Sequence, residues 1–507
     1  KNHLILLLGQ CSDVTVPLFA GLASDGYRVR QVVPGRHTRV THADYYETDF
    51  DSPEALAELH SLLRGDGRDI VGCVVNLLPL CEPFRQTGVS SAGTAADLTK
   101  WTFNFIKEFA ESLRLSAESE GGWFFNITSL DGTFGLSDSQ HASLNGAGTI
   151  GLAKALKREF PSLCVRNIDI EPKMEPSSIV SHLADELRTD EDSIEIGLCS
   201  NQRIRLQMRD EPAPETLSSL PVDEESVVLV TGGAYGITAS ITKALAIRRP
   251  KLVIVGRSEP APQESAETLG LDQSELRAMF LQRARSSGNT VLPAEIERAV
   301  QRVLKERDIR SNLETFRELG AVVDYRATDV RDRERFGRLL DDLYEEFGRI
   351  DGVIHGAGII QDKLIRDKTV ESFDVVFGTK VDSAITLAEK LRPDLLKFLV
   401  FFSSVSARFG NAGQADYSAA NEYLNKLADY LNVRWPGRVL SINWGPWAAG
   451  MFTGDLARAY AARGIHPIPV DVGVRFFERE LALGDDDSAE VIISSGLSAI
   501  SEVTMGV

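Results

Sequence analysis

The feature that most constrains the fold is a regular alternation of short aliphatic runs with longer segments of helical periodicity. The runs include HLILLLG, VGCVVNLL, SVVLVTGG, KLVIVGR, KFLVFFSS and VLSINWG. Such runs between amphipathic helices are typical of parallel sheets that helices cover on both faces. We therefore predict an α/β protein of two Rossmann-like subdomains with parallel sheets.

A segment rich in proline, serine and acidic residues at 209–226 divides the chain. Because this composition is typical of a linker, we predict two units, 1–212 and 213–507. A weak internal repeat relates 123–172 to 399–446 and indicates that the two units share a fold.

The first unit lacks the residues that a cofactor site would need. Its opening turn, LLLGQCSDV, has no paired glycines. In the repeat Ser129 aligns near Ser404, but the place of Tyr417 falls near Ala142 or Ser143, and neither is a phenolic acid. We predict a truncated, cofactor-free structural unit that supports its neighbour.

Charge and composition argue against several classes of function. The formal net charge of −18, without a long Lys/Arg run, argues against nucleic acid or an anionic membrane as the main partner. No apolar run reaches the roughly 18 to 20 residues of a membrane span. The cysteines lack metal-ligand spacing, so we expect reduced thiols, no metal site and a cytoplasmic location. Because the chain begins at Lys1, we expect a piece of a longer protein.

A glycine-rich turn lies between a strand and a helix in VVLVTGGAYGITASITKAL, residues 227–245. Glycine is needed there because a Cβ would block the approach of a pyrophosphate to backbone N–H groups. The strand–turn–helix setting predicts a dinucleotide site. We assign to it Thr231, Gly232, Gly233, Tyr235, Gly236 and Ile237.

The ends of the following strands predict further cofactor contacts. An NAD site typically has a carboxylate at the end of the second strand. Arg257 stands there instead and can pair with the 2′-phosphate of NADP, helped by the hydroxyl of Ser258. We therefore predict NADPH as the cofactor. Asp329 and Val330 should contact the adenine, although Asp329 could instead cap a helix. The ribose should lie against Gly356, Ala357 and Gly358.

Ser404 ends a buried strand, and Tyr417 follows on the next helix. A free tyrosine has a pKa near 10, so a cation must stabilise its phenolate if it is to act as an acid at neutral pH. Reductases that use a tyrosine as the acid usually place a lysine four residues after the tyrosine, but Asn421 stands there. Lys380, on the preceding helix, can supply the cation instead.

Residues 221–455 resemble the ketoreductase domain of polyketide synthases, of the short-chain dehydrogenase/reductase superfamily, in which this exchange of lysine and asparagine is the rule. INWGPW at 442–447 is a further match. The resemblance implies that Ser404 and Tyr417 bind the ketone and that Tyr417 protonates the alkoxide. It also implies that Lys380 lowers the tyrosine pKa and holds the nicotinamide ribose, while Asn421 keeps a water relay. Because these ketoreductases pair a truncated silent subdomain with a catalytic one, the resemblance covers essentially the whole chain.

The implied activity is NADPH-dependent reduction of a β-ketoacyl thioester, held on the phosphopantetheine of an acyl carrier protein, to the 3-hydroxyacyl thioester. Neighbouring synthase domains of a polyketide or polyunsaturated fatty acid synthase are the implied partners. Asp362 retains the last acid of the Leu-Asp-Asp motif of D-producing relatives, and Phe409 replaces the tryptophan of L-producers. Gln414 is not the histidine that marks α-epimerised substrates. We therefore expect a D (B-type) product.

Several alternatives fit parts of the sequence. A stand-alone short-chain dehydrogenase would ordinarily keep a lysine four residues after the tyrosine, and an inactive scaffolding domain would be expected to have lost a tetrad member. Residues 448–473, with the substrate-side Met451, suit a lid over the acyl chain or a plain surface helix. A charged insertion at about 259–318 predicts surface helices that serve as a packing appendage or as a docking surface.

Overall fold

Two sheets covered by helices make up the computed structural model, which confirms the predicted α/β fold with two Rossmann-like units. The structure describes residues 3–64, 70–82, 84, 92–119, 121–137, 143–189, 191, 193–199, 202–210, 219–286, 292–448, 466–483 and 488–496. The predicted division at 212 lies outside these residues and stays a prediction.

The first sheet has the strand order β3-β4-β2-β1-β5-β6-β7-β8-β9. Its strands are β1 (Leu4–Leu8), β2 (Arg28–Pro34), β3 (Arg39–His42), β4 (Tyr45–Thr48), β5 (Val71–Asn76), β6 (Trp123–Thr128), β7 (Cys164–Ile170), β8 (Glu195–Cys199) and β9 (Gln202–Ile204). Its helices are α1 (Ser12–Ser24), α2 (Pro53–Arg64), α3 (Ala92–Ser119), α4 (Ala147–Glu159) and α5 (Pro176–Glu186). Only β3 and β9 run antiparallel to their neighbours among the described strands.

The second sheet has the order β12-β11-β10-β13-β14-β15-β16, and all its described pairings are parallel. Its strands are β10 (Val227–Thr231), β11 (Lys251–Gly256), β12 (Val322–Ala327), β13 (Gly352–His355), β14 (Phe398–Ser404), β15 (Arg438–Trp444) and β16 (Glu490–Ile493). Its helices are α6 (Gly236–Ala246), α7 (Gln273–Ser286), α8 (Pro293–Glu318), α9 (Arg333–Phe347), α10 (Val370–Lys390), α11 (Val405–Phe409), α12 (Ala415–Asn432) and α13 (Val470–Ala482).

The two sheets share one topology, because β4-β2-β1-β5-β6-β7-β8 repeats the order of the second sheet strand for strand. The first unit is shorter where β2 leads to β3 and β4 without a helix, whereas α7 and α8 connect β11 to β12. The central strand β10 reads VVLVT and is buried along its whole length, as expected for a parallel strand covered on both faces. The order reverses between β10 and β13, and the carboxyl ends of strands at such a point form a ligand crevice.

The units meet where α4 of the first packs on α12 of the second. A Cβ added at Gly151 would lie 2.2 Å from the Ser418 carbonyl oxygen, so the close approach of the two backbones requires glycine there. Beside this contact the buried ammonium of Lys154 pairs with Glu195 at 2.9 Å and with Glu422 at 3.1 Å. The first unit therefore contacts α12 through backbone packing and through buried ion pairs.

The predicted insertion forms α7 and α8, but the second of these is more than a surface helix. Leu313 and Phe316 of α8 are buried in the core of the second unit. The end of α8 is thus the crossover helix between β11 and β12. No helix in the described part of the chain is long and apolar enough to cross a membrane.

Candidate active site

The glycine-rich turn connects β10 to α6 at the crevice. Gly232 and Gly236 have φ of +73° and +63°, in the left-handed region that favours glycine. A Cβ on Gly236 would project into open space in front of α6, and Tyr235 places no side-chain cap on the first N–H groups of that helix. Open space, uncapped N–H groups and a helix N-terminus fit the pyrophosphate of a dinucleotide.

Other residues of the turn fix its shape. A Cβ on Gly233 would lie 2.6 Å from Val230 Cγ1, so the turn lies directly on its own strand. Ile237 packs against the core of the second unit.

A hydrogen-bond chain links the turn to α10. The Thr231 hydroxyl accepts from the Ala357 N–H at 3.1 Å and lies 2.9 Å from His355 Nδ1. His355 Nε2 lies 3.1 Å from the Lys380 carbonyl oxygen. Burial, with a smaller contribution from the Lys380 charge, lowers the pKa of His355 to about 3. The imidazole is therefore neutral, and the neighbours place its proton on Nε2.

Lys380, Ser404, Tyr417 and Asn421 come together at the ends of β13 and β14. The Lys380 ammonium lies 5.6 Å from the centroid of the Tyr417 ring and donates to the Phe402 carbonyl at 2.7 Å. Ser404 ends β14 and is half-buried. Asn421 lies one turn after Tyr417 and donates to its carbonyl oxygen at 2.8 Å. These are the four residues that the resemblance singled out.

Burial is the main cause of the pKa shifts of Tyr417 and Lys380. Burial raises the pKa of Tyr417, and the charge of Asp362 also raises it, while hydrogen bonds from Asn421 and Ser404 act in the opposite direction. Burial also lowers the pKa of Lys380, to about 7, and its ammonium donates to a carbonyl group. The expected effect of Lys380 on the pKa of Tyr417 stays a prediction.

One acceptor in the site is left over. Asn421 Oδ1 is buried and has no hydrogen-bond partner among the described residues. An unpaired buried amide oxygen is costly unless it meets a donor from a ligand or a water molecule. This atom fits the predicted water relay.

The predicted adenosine-side residues lie along the ends of β11 and β12. Arg257 and Ser258 are exposed, and the Ser258 carbonyl accepts from the Tyr325 hydroxyl at 2.9 Å. Asp329 pairs with Arg331 at 2.7 Å, and hydrogen bonds from Arg331 lower its pKa.

The alternative of a helix cap at Asp329 is wrong, because the cap of α9 is Asp332, whose carboxylate accepts from the Arg335 N–H at 3.0 Å. Val330 is buried. Gly356 lies against Thr238, and a Cβ on Gly358 would lie 2.9 Å from Lys380 Cε. Gly358 therefore leaves room for the Lys380 side chain.

The residues predicted to control stereochemistry lie in two different places. Gln414 Nε2 donates to both carboxylate oxygens of Asp362 at 3.1 Å, beside Tyr417. Phe409 is buried where the units meet, and its carbonyl accepts from Arg158 Nε at 2.7 Å. Met451 and residues 449–465 of the predicted lid lie outside the described residues.

Some contributors escaped the sequence analysis. Lys368 is fully buried and pairs with the buried Asp416 at 2.8 Å, directly before Tyr417. Glu159 of the first unit accepts from the N–H groups of Ile365 at 2.9 Å and Gly413 at 3.1 Å. His355 is the third. None has a partner at a helical or strand spacing, so no local pattern could have identified them.

The described residues hold no group of three His, Cys, Asp or Glu side chains that could bind a metal ion. The site brings together a buried amine, a phenol, a hydroxyl and an amide.

Comparison with known proteins agrees with this geometry. Residues 226–449 match the family model described as KR domain. A polyunsaturated fatty acid synthase chain of a Thraustochytrium species is 28% identical over 422 residues, which are 79% of this chain and 15% of that protein. Polyketide synthase PksN of Bacillus subtilis is 26% identical over 371 residues, which are 71% of this chain and 6% of that protein.

A solved structure described as an N-terminal ketoreductase from the macrolactin assembly line superposes with a TM-score of 0.71 at 18% identity. The match covers 99% of this chain and 89% of the other. This likeness shows a shared fold. The chain spans only 15% and 6% of the two synthases it matches.

Proposed function

We propose, from the match of residues 226–449 to the KR domain family and from the geometry of the site, that this chain reduces a β-ketoacyl thioester to a 3-hydroxyacyl thioester with NADPH. The substrate is carried by an acyl carrier protein of a polyketide or polyunsaturated fatty acid synthase, whose other domains are its neighbours. The similarity to such synthases supports this choice of partner.

The observation that carries the proposal is the meeting of Lys380 and Tyr417. The Lys380 ammonium lies 5.6 Å from the centroid of the Tyr417 ring, although the two residues belong to different helices, and Lys380 lies against Gly358, just beyond the end of β13. The hydroxyl of Ser404 completes a pair of donors that can bind one ketone oxygen.

Each residue then has a chemical task. Ser404 and Tyr417 donate hydrogen bonds to the ketone oxygen, and Tyr417 gives its proton to the developing alkoxide. NADPH, when bound, supplies the hydride for the carbonyl carbon. Asn421 Oδ1 holds a water that returns a proton to the phenol, and Lys380 holds positive charge beside it. General acid catalysis of this kind contributes roughly 10² to 10⁴ in rate.

The finer assignments rest on two further residues. Arg257 at the end of β11 offers a cation to the 2′-phosphate that distinguishes NADPH from NADH. Asp362, held by Gln414 beside Tyr417, supports a D-configured product.

The test is an NADPH oxidation assay with trans-decalone and with a simple β-ketoacyl thioester. We expect turnover with NADPH, much weaker turnover with NADH, and D-3-hydroxyacyl product by chiral chromatography. Absence of turnover with every ketone, in a protein that binds NADPH, would contradict the reductase. Mainly L product would contradict only the stereochemical assignment.

A further inference from the structure

The inserted helix α8 lies against the glycine-rich turn as well as against the sheet. Asn312 Nδ2 donates to the Ala234 carbonyl at 3.0 Å, which anchors α8 to the turn itself. Two helical turns earlier, the Lys305 ammonium lies 5.1 Å from the centroid of the Tyr235 ring. Positions seven apart share one helix face, so α8 presents this face to the cofactor turn.

Lys305 and Arg257 are like charges that lie near enough to each other to interact. The positive charge of Arg257 lowers the pKa of Lys305, after the larger effect of desolvation. Both residues are exposed, so a ligand can reach them. Within the described ranges, neither has an ion-pair partner within 4.0 Å.

The neighbouring arginines, in contrast, form salt bridges with carboxylates. Arg307 and Arg310 of the same helix both pair with Glu264, and Arg331 near the end of β12 pairs with Asp329. Lys305 and Arg257 thus lie near the glycine turn without a salt bridge among the described residues, although the charges of Asp308 and Asp329 act on Tyr235 and Arg257 respectively. A dianion placed between them would relieve their mutual repulsion.

We propose that Lys305 is a second ligand of the 2′-phosphate of NADPH, supplied by α8 across the turn from Arg257. The proposal rests on the proposed function, since it concerns the same cofactor. Arg257 offers a planar fork of donors, and Lys305 adds a compact point charge. The Tyr235 ring orients the ammonium by a cation–π contact before the ligand arrives. The insertion is then part of the cofactor site, which neither the packing-appendage nor the docking-surface prediction anticipated.

The experiment compares Lys305→Met with the wild type in titrations of adenosine 2′,5′-bisphosphate and of 5′-AMP, followed by calorimetry. The ligands differ by the 2′-phosphate alone. We expect the variant to bind the bisphosphate about tenfold more weakly, the effect of one charge-assisted contact, and 5′-AMP unchanged. In turnover, the KM for NADPH should rise about tenfold while the kcat at saturation stays unchanged. Lys305→Arg should keep most of the bisphosphate affinity.

Lys243→Met is the matched control, because Lys243 is an exposed lysine on α6 outside the turn. It removes the same charge and should change neither affinity. Equal bisphosphate affinity in Lys305→Met and the wild type would overturn the role of Lys305 and leave the reductase standing. A wild type that binds 5′-AMP as tightly as the bisphosphate would instead overturn the NADPH preference.

Discussion

Replacement of Lys368 by methionine should destabilise the protein by about 4 kcal/mol, because it leaves a buried carboxylate without its cation. Lys368 and Asp416 are 0% and 1% exposed, and their charged atoms lie 2.8 Å apart. Lys368 also donates to the Gln361 carbonyl at 2.7 Å, a bond worth about 1 kcal/mol. Removal of one partner of a buried pair costs about 3 to 5 kcal/mol, and this sets the estimate.

The same change should lower kcat more than it raises KM. Asp416 Oδ1 accepts from the N–H of Tyr417 at 2.8 Å, so a displaced carboxylate disturbs the start of α12. Free energies of unfolding from urea titrations, with kcat from NADPH oxidation, measure the two effects. The double variant Lys368→Met/Asp416→Asn should recover at least half of the lost stability, because it removes the unpaired charge.

Lys390→Met is the matched control. Lys390 pairs with Asp341 at 2.6 Å, but both side chains are at least 40% exposed. Such a pair contributes about 0 to 1 kcal/mol. The reasoning is refuted if Lys368→Met costs no more than this control, or if the added Asp416→Asn recovers nothing.

Three other predictions concern residues that join the parts of the site. The pKa of Lys380 is about 7 in the folded protein, against an ordinary value of 10.5. Between these two pH values the unfolded state binds more protons than the folded state, so the free energy of unfolding should rise with pH. In Lys380→Met, the free energies of unfolding measured at pH 7 and pH 10 should show a smaller rise. Gly151→Ala should cost about 1 to 3 kcal/mol in thermal unfolding, because its Cβ would collide with the Ser418 carbonyl, and an unchanged melting temperature would contradict the packing of α4 on α12. His355→Leu removes the hydrogen bonds of the buried imidazole to Thr231 and to the Lys380 carbonyl and should cost about 1 to 3 kcal/mol by urea titration, whereas no loss would show the hydrogen-bond chain to be unimportant.

The sequence predicted the parts of this molecule that local rules determine. Alternating strand and helix periods gave the parallel sheets, and the glycines of the turn gave the cradle at β10 because only glycine adopts φ near +70° without strain. The pairing of Lys380 with Tyr417 was inferred from the place of Lys380 on the preceding helix and from the resemblance to a family, since no spacing along one helix connects the two residues.

What escaped prediction depends on contacts distant along the chain. Glu159 accepts a hydrogen bond from the backbone N–H of Gly413, and Lys154 donates one to the carbonyl of Ala407 at 3.1 Å. Both hydrogen bonds cross the contact between the two units. Their own helix α4 shows only amphipathic periodicity. The effect of burial on the pKa of Tyr417 was also out of reach, because desolvation is a property of the packed site.

The most direct test of the central claim is the turnover of Tyr417→Phe at saturating NADPH, with NADPH affinity measured in parallel by fluorescence. The account predicts that the variant binds NADPH like the wild type and loses at least about 10²-fold in kcat, because the proton donor is gone. Tyr430→Phe, on the same helix, should keep full activity. A Tyr417→Phe enzyme with wild-type kcat would contradict the account.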